Sequence, residues 1–125
     1  MEVTKSRKKL DIAVLEALTA LNTIDTVLYD RLNVQINVAS NALDQFTVQA
    51  KVQSDAPFIN VATVGASFTA LSFPMLSASG DLTTQAVGNG SFIMDCSGYV
   101  AVKLSAASGN AGGSVVDLYW GLREL

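Results

Sequence analysis

Residues 9–38, KLDIAVLEALTALNTIDTVLYDRLNVQINV, contain the change of hydrophobic period on which the fold prediction depends. Up to Leu32, apolar residues recur at steps of three, four or seven, which is the period of an amphipathic helix. From Asn33 onward, apolar and polar residues alternate, as in a strand with one buried face. The sequence therefore predicts an amphipathic helix over residues 9–32, followed by β-structure.

The predicted helix carries one apolar stripe, which is wider than a strict coiled-coil seam. Weak helix formers among residues 22–26 allow a break or bend there. Two interpretations stay open: the helix packs on its own β-domain, or it pairs with copies of itself around a symmetry axis, as in a trimer. Under the second interpretation the stripe is an oligomer or partner interface, formed by Val14, Leu18, Leu21, Ile24, Leu28 and Leu32.

The remainder of the chain reads as short strands separated by turn-forming Gly, Pro, Asn and Asp residues. We count seven or eight strands at close spacing and no clear internal repeat. This pattern favours an antiparallel β-sandwich or jelly roll. The predicted fold class is α+β, mainly β, with a flexible basic N-terminus over residues 1–8, the helix over residues 9–32 and a β-sandwich domain over residues 33–125.

The composition is unusual in its shortage of charge. Charged residues make up 15% of the chain, against about 25% in an average soluble domain. The resulting surface of Ser, Thr, Asn, Gln, Ala and Gly favours oligomerisation or docking onto a larger assembly. The net charge is −3, and basic residues concentrate before residue 10. We do not expect nucleic acid as a partner. We also expect no membrane partner, because no run approaches the ~20 apolar residues of a membrane-spanning helix.

The residues that carry chemistry are few. The chain has no histidine, and it has one cysteine, Cys96, in an apolar run that predicts a buried thiol. The aspartates are scattered singly over turns and strands, without the pairing of a glycosidase or the spacing of a calcium loop. The glycine-bearing loops lack the Lys-Ser/Thr of a phosphate loop. The sequence thus predicts a protein that is not an enzyme, with no catalytic residue, no cofactor and no metal site.

Two neighbouring aromatic residues offer an alternative function. Trp120 and Tyr119 could form a platform for glycans on the last strand. Trp120 keeps phase with Val116 and Leu118, so we expect it to be buried, with Tyr119 at a rim or subunit contact.

Two segments carry a resemblance to a known class of proteins. SNALDQFTVQAKVQSDAPF (residues 40–58) and SGDLTTQAVGNGSFIMDCSGYVAVKLSAAS (residues 79–108) resemble small β-sandwich virion proteins of tailed bacteriophages, of the capsid decoration or minor capsid type. The resemblance implies a virion location, oligomerisation, and contacts with the major capsid protein or other virion proteins. It transfers no functional residue. A tail, neck or fibre-base component and a glycan-binding module are the alternatives.

Overall fold

The computed structural model describes residues 3–12, 19–39, 41–64, 73–80, 82, 88–108 and 114–124. For the strand residues before Asn22, and for residues 63 and 64, the backbone alone is described.

The described residues form nine strands arranged as two antiparallel sheets. The five-stranded sheet has the order β1-β9-β3-β7-β6, and the four-stranded sheet has the order β2-β8-β4-β5. The strands are β1 (Val3–Ile12), β2 (Thr19–Asp25), β3 (Arg31–Ala39), β4 (Leu43–Lys51), β5 (Ile59–Val64), β6 (Met75–Gly80), β7 (Gly88–Asp95), β8 (Ala101–Ser108) and β9 (Ser114–Arg123). The predicted antiparallel sandwich is therefore confirmed.

The helix predicted over residues 9–32 is not confirmed, and the described residues of that range form strands and a turn. Its described residues belong to the end of β1, to β2, to a turn and to the start of β3, while residues 13–18 lie outside the described residues. Strand β1 also occupies residues predicted as a flexible N-terminus. The physical reason is long-range pairing: β1 pairs along its whole length with β9, and β2 pairs with β8. These ladders outweigh a local helical period, and Thr19, Thr23 and Ile24 are β-branched residues that fit a strand.

The core lies between the sheets and follows the alternation predicted from Asn33 onward. In β3, Leu32, Val34, Ile36 and Val38 are buried, whereas the residues between them are exposed or half-buried. Burying each large apolar side chain stabilises the fold by about 1.5–3 kcal/mol. The other strands add further fully buried side chains, namely Phe46, Val48, Phe92, Met94, Leu104, Val116 and Leu118.

Two connections between the sheets have the same pattern of turn hydrogen bonds. We name them the first arch (residues 25–30), which joins β2 to β3, and the second arch (residues 95–100), which joins β7 to β8. Each begins with an aspartate whose Oδ1 accepts a hydrogen bond from the amide two residues on, at 3.0 Å in both arches. Such Asx turns fix the direction in which the chain leaves the strand.

The two arches also bind each other reciprocally. The Thr26 amide donates to the Val100 carbonyl at 3.1 Å, and the Cys96 amide donates to the Asp30 carbonyl at 3.0 Å. Because β3 lies between β7 and β9 and β8 lies between β2 and β4, strands β2, β3 and β4 correspond to β7, β8 and β9. The fold thus contains an internal pseudo-two-fold repeat.

Candidate functional site

The residues predicted as an interface do not form one surface where the structure describes them. Ile24 and Leu32 are buried in the chain's own core, whereas Leu28 lies on the first arch with 70% of its surface exposed. Leu21 is a residue of β2 whose side chain is not described, and Val14 and Leu18 lie outside the described residues.

The outer side of the five-stranded sheet brings together polar residues from three neighbouring strands. Residues that pair directly across an antiparallel ladder share a sheet face. The pairing of β7, β3 and β9 produces nine positions, which we call the outer face. Its three rows are Ile93–Asn33–Gly121, Ser91–Gln35–Tyr119 and Asn89–Asn37–Asp117.

The first two rows line a shallow depression. Its volume is about 470 Å³ and its lining includes Asn33, Gln35, Ser91, Ile93 and Tyr119. Gly121, in the first row, also belongs to the lining and adds no side chain to it. The volume is within the range of small-ligand sites.

The polar groups of the outer face can both donate and accept hydrogen bonds. Gln35 Nε2 donates to Asn37 Oδ1 at 3.3 Å, and the Tyr119 hydroxyl donates to Asp117 Oδ2 at 3.3 Å. An amide side chain has two N–H donors and one carbonyl acceptor. The outer face therefore has the chemistry to bind a ligand rich in hydroxyl groups.

Basic residues occupy register positions that border the outer face. Strand β1 extends the three rows, since Lys5 pairs with Gly121, Arg7 with Tyr119 and Lys9 with Asp117. A further row across β9, β3 and β7 is Arg123–Arg31–Asp95. Five of the chain's eight lysine and arginine residues thus occupy register positions of one sheet face: Lys5, Arg7, Lys9, Arg31 and Arg123.

Asp95 is the carboxylate at the corner of this face. The pKa of Asp95 is lowered from its ordinary value, first by the hydrogen bond that the Ser97 hydroxyl donates to it, and also by the Ser97 amide and the charge of Arg31. Arg31 Nη1 lies 3.5 Å from Asp95 Oδ2. The aspartate therefore fixes the second arch and also partners a basic residue of β3.

An apolar surface lies at the tip of the first arch. Val27 is 60% exposed and Leu28 is 70% exposed. A groove of about 540 Å³ adjoins them and is also lined by Tyr29 and Trp120. Trp120 packs against the core, as its phase in β9 predicted, but it is half-buried and not buried, whereas Tyr119 belongs to the outer face. Both aromatic residues contribute to the lining of the depression on the outer face.

Cys96 is buried, as predicted, and follows β7 directly. Burial raises the pKa of its thiol to about 11, and the nearby Asp95 carboxylate adds to that increase. A neutral, buried thiol is a poor nucleophile. Among the described residues, no group of three or more acidic, cysteine or histidine side chains could hold a metal ion. The described part of the chain also contains no helix with the length and apolarity that crossing a membrane requires.

Comparison with known proteins finds a solved structure with a similar fold. No protein-family model matches the chain, and a search of curated proteins found no match. Among solved structures, the crystal structure of the SPBc2 prophage-derived protein YomS is similar, with a TM-score of 0.50. The sequences are 13% identical, and the match covers 95% of each chain. The chain therefore shares its fold with a prophage-derived protein.

Proposed function

We propose that this chain is a structural protein of a bacteriophage virion, and that it decorates or reinforces the head as a capsid decoration or minor capsid protein. The fold shared with a prophage-derived protein over nearly the full length of both chains supports a phage origin. The resemblance of residues 40–58 and 79–108 to small virion proteins supports the same assignment.

The observation that supports a role in assembly is the difference between the tip residues of the two arches. At the tip, the second arch has Ser97 and Gly98, whereas the first arch has Val27 and Leu28 at the equivalent positions. Both arches form the same Asx turn, so the turn does not require apolar residues at its tip. Adjoining exposed apolar side chains beside a groove are typical of a surface that another protein covers.

The mechanism follows from the hydrophobic effect. A neighbouring subunit that covers Val27, Leu28 and the groove beside Trp120 gains about 25 cal/mol for each Å² of apolar surface removed from water. The low charge of the chain, 15% of residues, reduces the cost of removing the surrounding surface from water. We therefore assign the tip of the first arch to a contact with a second copy or with the major capsid protein.

A pair of variants tests this proposal in particles. Leu28→Asp introduces a carboxylate at the apolar tip, and we expect it to reduce the amount of the chain in purified particles. Gln53→Asp makes the same charge change at another exposed position and should leave the amount unchanged. Equal incorporation of both variants would show that the first arch is not part of the contact. A chain that never enters particles would overturn the virion role itself.

The number of copies per particle distinguishes a head component from the alternative, a tail, neck or fibre-base component. A head component follows the many symmetry-related positions of the shell, so we expect on the order of hundreds of copies per particle. A tail or neck component would be present in a dozen copies or fewer.

A further inference from the structure

The outer face has a regular arrangement in two directions. Along each strand, positions on one face repeat every second residue, at intervals of about 7 Å. Across the sheet, each of three rows starts at a cation of β1, passes through β9 and reaches an amide of β3. The β1 column is Lys5, Arg7 and Lys9, and the β3 column is Asn33, Gln35 and Asn37. A column of charges thus runs parallel to a column of amides.

By strand register, basic positions outnumber acidic ones on the sheet face that contains the outer face, although the chain as a whole is acidic. The net charge of the chain is −3, yet the face holds five of its eight basic residues. Three carboxylates share the face. Asp95 lies beside Arg31, and Asp117 accepts a hydrogen bond from Tyr119. The third, Asp11, pairs with Val115 at the far end of β1. A local positive field on an acidic protein favours an anionic ligand at that one place.

The uncharged groups indicate which anion fits. Amide and hydroxyl groups at Asn33, Gln35, Asn37, Asn89 and Ser91 suit a ligand with many hydroxyl groups. Surfaces that bind single-stranded nucleic acid stack successive bases on several aromatic rings. Among the nine positions of the outer face, Tyr119 is the one aromatic residue.

We propose that the outer face binds an acidic polysaccharide, which lies along β1, β9 and β3. Its acidic groups lie along the register positions of Lys5, Arg7 and Lys9, and its hydroxyl groups reach the amides of β3. Tyr119, between the two columns, packs against a sugar ring in the depression beside Gly121. This site does not depend on the proposed virion role, because it uses a different surface from the first arch.

A binding comparison with the full chain tests the proposed ligand class. Oligogalacturonate serves as the acidic probe, dextran of equal length as the neutral probe, and oligothymidylate as the nucleic-acid probe. We expect oligogalacturonate to bind, to weaken as salt rises from low to physiological concentration, and to bind at least about tenfold tighter than dextran. Equal binding of dextran, tighter binding of oligothymidylate, or binding of none of the three would overturn the proposal.

Matched variants test the location. Gln35→Glu places a negative charge at the centre of the outer face, and Gln53→Glu makes the same change at an exposed position after β4. We expect Gln35→Glu to weaken oligogalacturonate binding about tenfold, because like charges repel at short range, and Gln53→Glu to leave it unchanged. Arg7→Gln should weaken binding more than Lys103→Gln, which removes a cation of the other sheet.

Circular dichroism melting curves establish that each variant is folded. Equal effects from the two glutamate variants, or from the two cation variants, would show that only the net charge matters and would overturn the assignment to this face.

Discussion

Thr26 and Cys96 make the same two hydrogen bonds with exchanged partners. Thr26 donates its amide to Val100 and its hydroxyl to the Tyr99 carbonyl at 2.8 Å. Cys96 donates its amide to Asp30 and its thiol to the Tyr29 carbonyl at 3.4 Å. Both residues are buried. The two arches are therefore fastened to each other at the pseudo-two-fold axis, and this places both arch tips at one end of the sandwich.

The hydroxyl of Thr26 should matter more for stability than that of an exposed threonine. Thr26→Val removes the donor to the Tyr99 carbonyl in a buried place, and we expect a loss of about 1–3 kcal/mol in the free energy of unfolding. Thr23→Val, on the exposed side of β2, should change it by less than about 0.5 kcal/mol. Urea denaturation of both variants measures the difference. Equal losses of unfolding free energy would contradict a stabilising role for the hydrogen bonds between the two arches.

The thiol of Cys96 should be inert in the folded protein. Its pKa of about 11 and its complete burial leave it neutral and covered at pH 8. We expect Ellman's reagent to react only at the rate at which the chain unfolds, and to react fast in urea. A rapid reaction in native buffer would show that the second arch opens readily.

The carboxylate of Asp95 should stabilise the fold in a pH-dependent way. Its pKa is lowered from the ordinary value of 3.8. The contribution is therefore fully present above about pH 3.8 and is lost as the pH falls through the lower value of the folded state. We expect Asp95→Asn to destabilise the protein at pH 7 and to do so much less at pH 2. Denaturation at the two pH values is the measurement, and an unchanged difference would contradict this role.

Two glycines with positive φ should respond differently to a methyl group. A Cβ on Gly80 would fall against the backbone oxygen of Asn89 in the neighbouring strand, whereas a Cβ on Gly98 would meet nothing within 4 Å. Gly98→Ala should cost about 1–2 kcal/mol from the backbone conformation alone. Gly80→Ala should cost several kcal/mol more or prevent folding, because β6 cannot keep its pairing with β7. Thermal unfolding compares them, and equal melting temperatures would contradict the close approach of β6 and β7.

The sequence predicted those parts of the fold in which a local period has one explanation. Strict alternation in β3 and β9 was enough to place Val34, Ile36, Val116 and Leu118 in the core. Residues 9–32 do not meet this condition, because the same apolar residues fit both a helical period and a pair of strands. Only pairing with β8 and β9, which are distant in the chain, decides between them.

The internal repeat and the outer face were beyond sequence reasoning for related reasons. Between the arches, Asp25 matches Asp95 and Tyr29 matches Tyr99, while the residues between them differ. A direct comparison of the two arch sequences would detect those two identities. The outer face and the basic positions of β1 beside it need the register of four strands, and no local pattern supplies that register.

Quantitative mass spectrometry of particles purified from the host strain that encodes this chain tests the proposed function most directly. Labelled peptides of the chain and of the major capsid protein give the ratio of the two in the same particles. The proposed function predicts that the chain is retained through purification at a fixed ratio, on the order of hundreds of copies per particle. Intact particles that lack the chain, although the cells produce it, would contradict the proposal.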